Sequence, residues 1–140
     1  MRNVIFKSVF LALIAGSAVA GDVPVANPPT VKVENVTGNP AKPGEFYIVR
    51  VRLPAEGLFK PHFHNVKRYI SVISGTLYSC NGGVASSKTV VAHPPGDFFE
   101  QPPKMVHCSW AKEGPVDYLE FGVGPVDVIY VDKDSVPLQP

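Results

Sequence analysis

Two histidines stand one residue apart in the stretch KPHFHNVKRYISVISGTL, residues 60–77. They are His62 and His64, half of the four histidines in a 140-residue chain. Side chains of an extended segment repeat on one side every two residues, so both imidazoles would face the same way and can chelate one metal ion. A third histidine, His107, lies far along the chain in PPKMVHCSW, after a proline turn and at the start of another β-like run. A closed barrel can bring it opposite the pair. Three histidines with open coordination positions suit a catalytic or binding site for zinc, iron, nickel or manganese. The plainer reading of a His-x-His pair is surface or core furniture. Four residues after His64 stands Arg68, where a metal site would more naturally want an acid.

The elements that must position these residues read as β. Fifteen prolines and twelve glycines punctuate the chain, and no segment between them is long and periodic enough for a substantial helix. Short runs rich in Val, Ile, Tyr and Phe lie between turn residues: TVKVENV, EFYIVRVRL, RYISVISGTLYSC, SKTVVAH, DFFEQ, VHCSWA, DYLEFGV and VDVIYVD. Many short strands at near-even spacing predict a β-sandwich or barrel. FYIVRVRL alternates, with Tyr47, Val49, Val51 and Leu53 on a core face and Ile48, Arg50 and Arg52 on the other.

The ends bound the functional classes. Residues 1–20, MRNVIFKSVFLALIAGSAVA, have a positive n-region, a short apolar core and Ala18-Val19-Ala20 as a small-x-small cleavage site. That is the pattern of a secretory signal peptide cut after Ala20, implying a periplasmic or secreted protein without a stable membrane anchor. Cleavage removes Arg2 and Lys7, taking Lys and Arg from 13 to 11 against 12 acids, so the mature charge is about −1. No basic stripe is present to hold nucleic acid or an anionic membrane, which leaves a small molecule as the expected partner. Residues 21–39 read as an extended leader, 40–132 as one barrel domain and 133–140 as a tail. Cys80 and Cys108 would meet an oxidising compartment, either as a bridge or as two semi-buried thiols.

Both histidine stretches also resemble motifs of the cupin superfamily. Residues 57–75, GLFKPHFHNVKRYISVISG, are similar to its first motif: glycine, spacer, His-x-His, a short gap, Glu, six residues, Gly. Here Arg68 takes the Glu place, and four residues rather than five separate Gly57 from His62. Residues 96–107, GDFFEQPPKMVH, are similar to the second motif, with Gly96, Pro102 and His107 in register and Lys104 where glycine is usual. Ala111 stands where an asparagine is usual. The resemblance spans roughly residues 40–132. It implies an all-β double-stranded β-helix, a jelly-roll barrel, commonly a homodimer, with His62, His64 and His107 as ligands of a divalent metal.

Arg68 cannot take the glutamate's role, because guanidinium is always protonated and has no lone pair. Three readings follow. A three-histidine metal site remains and Arg68 holds an anionic ligand against it, in a binding protein or in a metal enzyme such as a three-histidine non-haem iron oxygenase. Alternatively, Arg68 replaces the metal and the barrel is a metal-free anion-binding or sensing module. In the third, Arg68 swings out and an acid such as Glu100 reaches in. Alternation lets only one of Glu100 and Gln101 face the cavity, and Gln101 is the ligand-binding candidate beside Arg68. His93, at the AHPPG turn, reads as a solvated surface histidine, and no nucleophile–base pair is evident.

Overall fold

A computed structural model describes residues 30–82 and 90–131. Residues 1–20, read above as a signal peptide, residues 21–29 and the 133–140 tail lie outside the described residues. Ten strands form two five-stranded antiparallel sheets, and no helix occurs among the described residues. The first sheet runs β1 (Lys32–Thr37), β2 (Phe46–Leu53), β9 (Val116–Val123), β4 (Arg68–Ser74), β7 (Phe98–Gln101). The second runs β10 (Ile129–Tyr130), β3 (Leu58–Phe63), β8 (His107–Trp110), β5 (Leu77–Asn81), β6 (Val90–His93). The structure is thus all-β, as the strand pattern predicts, in the jelly-roll arrangement that the cupin resemblance implies. β1 falls within the stretch read as an extended leader and pairs with β2 along the sheet edge.

Alternation sets the inside of the barrel. Along β2, Tyr47, Val49, Val51 and Leu53 are buried, and Arg50 and Arg52 face outward to Asp117 and Glu34. β9 buries Val116 and Tyr118, then turns Glu120 and Gly122 to the same side. Gly122 is required there: a Cβ would approach the Tyr47 hydroxyl to 2.6 Å. RYISVISGTLYSC, one run by composition, is two strands. Gly75, at φ 73°, turns the chain between β4 and β5, and a side chain there would also run into the Pro115 carbonyl.

β3 escapes the periodicity reading for a local reason. Its register with β8 slips between Phe59 and His62, so Lys60 and Pro61 together oppose one residue of the partner. The bulge restores an inward direction to His62 although Phe59, three residues earlier, already lines the interior. Pro61 has no N–H to lose from the ladder, which suits it to this position.

Cys80 and Cys108 sit directly opposite on β5 and β8, with Cα atoms 5.0 Å apart, and are joined as a disulfide. Of the two sequence readings, the bridge is the one the register selects. Closing a 28-residue separation stabilises the fold by about 3–4 kcal/mol through the unfolded chain's lost entropy. A Cys80→Ala/Cys108→Ala double variant should lose about 3 kcal/mol in urea unfolding, and the reduced wild type should follow it. Coincident midpoints for oxidised and reduced protein would show that the bridge contributes nothing.

Candidate metal centre

His62 lies near the end of β3, His64 is the residue just past that strand, and His107 opens β8, directly opposite His62 in the ladder. All three are buried, and one nitrogen of each lies within 4.8 Å of the others. The ring tautomers are set from behind. Nδ1 of His62 donates to the Lys60 carbonyl at 2.6 Å, and Nδ1 of His107 donates to the Met105 carbonyl at 2.9 Å. A carbonyl only accepts, so both rings carry the proton on Nδ1 and turn the Nε2 lone pair to the cavity. His64 has no hydrogen-bond partner of normal geometry on either nitrogen among the described residues. A buried imidazole left this way is costly unless something further binds it.

The loops that follow hold the donors in place. Lys104 N–H donates to the His64 carbonyl at 2.7 Å, and Asn65 ties the same loop to Pro125 and Asp127. Lys104 has φ 63°, in the left-handed region, at the motif position where glycine is usual.

Arg68 opens β4 and points inward, 3% exposed. Its Nη1 is 2.7 Å from Oε2 of Glu120, its Nη2 donates to Oε1 of Gln101, and Nη2 also donates to Nε2 of His107 at 3.0 Å. Arg68 Nε has no partner among the described residues. Glu120 takes a second hydrogen bond from the Tyr47 hydroxyl at 3.4 Å. The polar end of the barrel therefore carries one cation and one anion beside three imidazoles. The imidazoles are held neutral: burial first, then Arg68, pushes His64 down to about 2, and burial, then His62, pushes His107 down to about 3. Burial also lowers His62. Burial and Glu120 push the Tyr47 phenol well up, so it donates to that carboxylate rather than ionising.

Around this polar cluster the cavity is about 220 Å³. Its walls are mostly apolar, with Val49, Val51, Ile70, Phe99 and Val126 among them.

The structure brings all five sequence candidates, His62, His64, His107, Arg68 and Gln101, to one cavity. It corrects two other expectations. Arg68 does not swing out for Glu100, which lies on the outer face and pairs with Lys67 at 3.1 Å. The acid that reaches Arg68 is Glu120, whose inward direction follows from alternation with buried Tyr118. His93 is not solvated. It is 9% exposed and stacks on Phe99 with ring centroids 3.7 Å apart. Its Nδ1 donates to Asp97 at 2.7 Å and its Nε2 accepts from the Ser79 hydroxyl at 2.9 Å, clasping β5, β6 and β7 at the seam where the two sheets meet. This is a Ser–His–Asp chain where the sequence showed no nucleophile–base pair, although Ser79 is only 3% exposed.

Solved structures share this architecture. A cupin 2 domain-containing protein from Halorhodospira halophila matches with TM-score 0.62 at 18% identity, over 75% of this chain and 72% of that one. A conserved protein with a double-stranded beta-helix domain from Klebsiella pneumoniae subsp. pneumoniae matches with TM-score 0.61 at 16% identity, over 77% and 90%. The fold is that of a cupin. A cupin 2 conserved barrel domain protein from Leptotrichia buccalis matches with TM-score 0.58 at 15% identity over 71% of this chain, which spans only 43% of that longer one. No family model and no curated protein matches the sequence. In this cupin barrel the three-histidine cluster is compatible with a metal site.

The lowered histidines make stability depend on pH. An unfolded imidazole titrates near 6.5, so below that pH the unfolded chain takes up protons that the folded cluster refuses. Stability should be full above about pH 7 and fall as the pH drops from 6.5 towards 3, by roughly 1 kcal/mol per pH unit for each of His64 and His107, with His62 adding to the fall. Urea midpoints of chelator-treated protein between pH 7.5 and 4.5 measure this, and His64→Leu should flatten the slope. An unchanged midpoint across that range would mean the imidazoles titrate normally.

Proposed function

We propose that this protein is an exported cupin that binds a divalent metal ion through His62, His64 and His107, in a cavity that also accepts a small anionic molecule. The observation that carries the metal reading is His64, buried with no partner of normal hydrogen-bond geometry on either nitrogen among the described residues, beside two imidazoles whose Nε2 atoms face the same space. The donor set fits: neutral imidazoles suit zinc, iron, nickel and, less tightly, manganese. A bound divalent ion supplies Lewis acidity and open coordination positions. The chain's own residues do the rest. The backbone carbonyls of Lys60 and Met105 fix the ligand tautomers, the apolar walls exclude water, and Arg68 and Gln101 stand beside the donors to orient an entering anion.

A metal-free anion module draws less support, because Glu120 already matches the Arg68 charge. Export rests on the leader sequence. Homodimer formation is supported by Phe46, Phe98 and Val123, each at least half exposed on the outer face of the first sheet.

Elemental analysis of the purified protein tests the metal reading. A divalent ion should be present in stoichiometric amount, and alanine at His62, His64 or His107 should remove it while circular dichroism stays that of a folded β protein. Arg68→Glu should tighten divalent binding by roughly tenfold or more, since it replaces a like charge with an acid. A wild type that holds no metal under any loading condition, or His107→Ala holding it at wild-type level, would sink the three-histidine site.

A further inference from the structure

Arg68 and a metal ion have a claim on the same atom. His107 offers the cavity only Nε2, because its Nδ1 is committed to the Met105 carbonyl. That Nε2 already accepts from Arg68 Nη2 at 3.0 Å. One lone pair cannot serve both. Loading the site with a divalent ion therefore strips Arg68 of an acceptor and leaves a buried guanidinium beside a new like charge, where screening is weak and repulsion is strong. Glu120 does not relieve this. It sits on Nη1, already offsets the charge Arg68 brings, and is tied to the Tyr47 hydroxyl. Arg68 Nε, buried without a partner among the described residues, adds a second N–H in want of an acceptor.

We propose that a divalent metal and a small monocarboxylate bind this cavity synergistically, each raising the other's affinity, with Arg68 as the residue that couples them. The inference rests on the three-histidine metal reading above. A carboxylate has two coplanar oxygens. One can serve the ion's open positions, and the other accepts charge-assisted hydrogen bonds from the Arg68 N–H groups that lack acceptors. Without metal, Arg68 is satisfied by Glu120, Gln101 and His107, and an entering carboxylate would meet Glu120 and uncharged imidazoles. With metal, the same carboxylate lies between two cations. The walls decide the rest of the ligand: Val49, Val51, Ile70, Phe99 and Val126 around about 220 Å³ suit a short hydrocarbon or single-ring body.

The test measures binding alone. Zinc affinity of chelator-stripped protein is determined by competition with a chromogenic chelator, with and without saturating acetate or benzoate. Zinc should bind about tenfold more tightly with the carboxylate present, and the carboxylate's own affinity should rise by the same factor when zinc is bound. In Arg68→Met, zinc binding without carboxylate should be kept or strengthened and the coupling should fall below about twofold. If that variant does not fold, Glu120→Gln serves instead: it frees Arg68 to bind carboxylate without zinc, so the coupling should shrink. Zinc affinity indifferent to both carboxylates would overturn the inference and leave the metal reading standing. Full coupling in Arg68→Met, or in Glu120→Gln where that variant stands in, would also overturn it. Absence of binding by zinc, iron, nickel and manganese alike would remove both.

Discussion

A buried guanidinium must be matched wherever the chain puts it, and in this barrel the pair Arg68–Glu120 meets that demand. Removing one member of such a pair typically costs about 3–5 kcal/mol, because the other is left charged and dry. β4 and β9 are neighbours, so the pair bridges two central strands of the first sheet. Gln101 approaches from β7 on one flank and Tyr47 from β2 on the other. Four strands of that sheet thus deliver one polar side chain each to a single network. Gly122 leaves the space that the Tyr47 ring fills.

The two sheets divide the chemistry. The second sheet supplies the lone pairs, through His62, His64 and His107 on β3 and β8. The first supplies charge and directed N–H groups, through Arg68, Glu120 and Gln101. The contact between Arg68 and His107 is where the halves meet. Below that polar end the interior is hydrocarbon, so the cavity has a direction: a polar head belongs at the histidines and an apolar body against the valines.

What the sequence disclosed follows the range of its signals. His62, His64, His107 and Arg68 were legible because local spacing, and motifs resembling the cupin pattern, mark them. The strands were legible where alternation is unbroken, as in β2. Glu120 was missed as a site residue because its role depends on β9 lying beside β4, 52 residues apart at the Arg68–Glu120 contact and not marked by either segment alone. The inward side of Tyr118, Glu120 and Gly122 was available from alternation, but the partner was not. His93 looked solvated because a Pro-Pro-Gly turn follows it, and only the packing of β6 against Phe99 buries it. β3 gave no periodic signal, since the bulge at Lys60 and Pro61 breaks the pattern just before the histidine pair. The cysteine bridge required the β5–β8 register, which no count of cysteines gives.

The disulfide has a consequence for local opening. It anchors Cys108, next to His107, to β5 in the middle of the second sheet. His62 and His64 have no such tie. They lie at the end of β3 and just past it, and among the described residues that strand's outer side pairs with the two-residue β10 alone. Short edge strands fray at a small fraction of the global unfolding free energy. The histidine cluster therefore has a fast half and a slow half. Amide protons along β3 and β10 should exchange before those of β8.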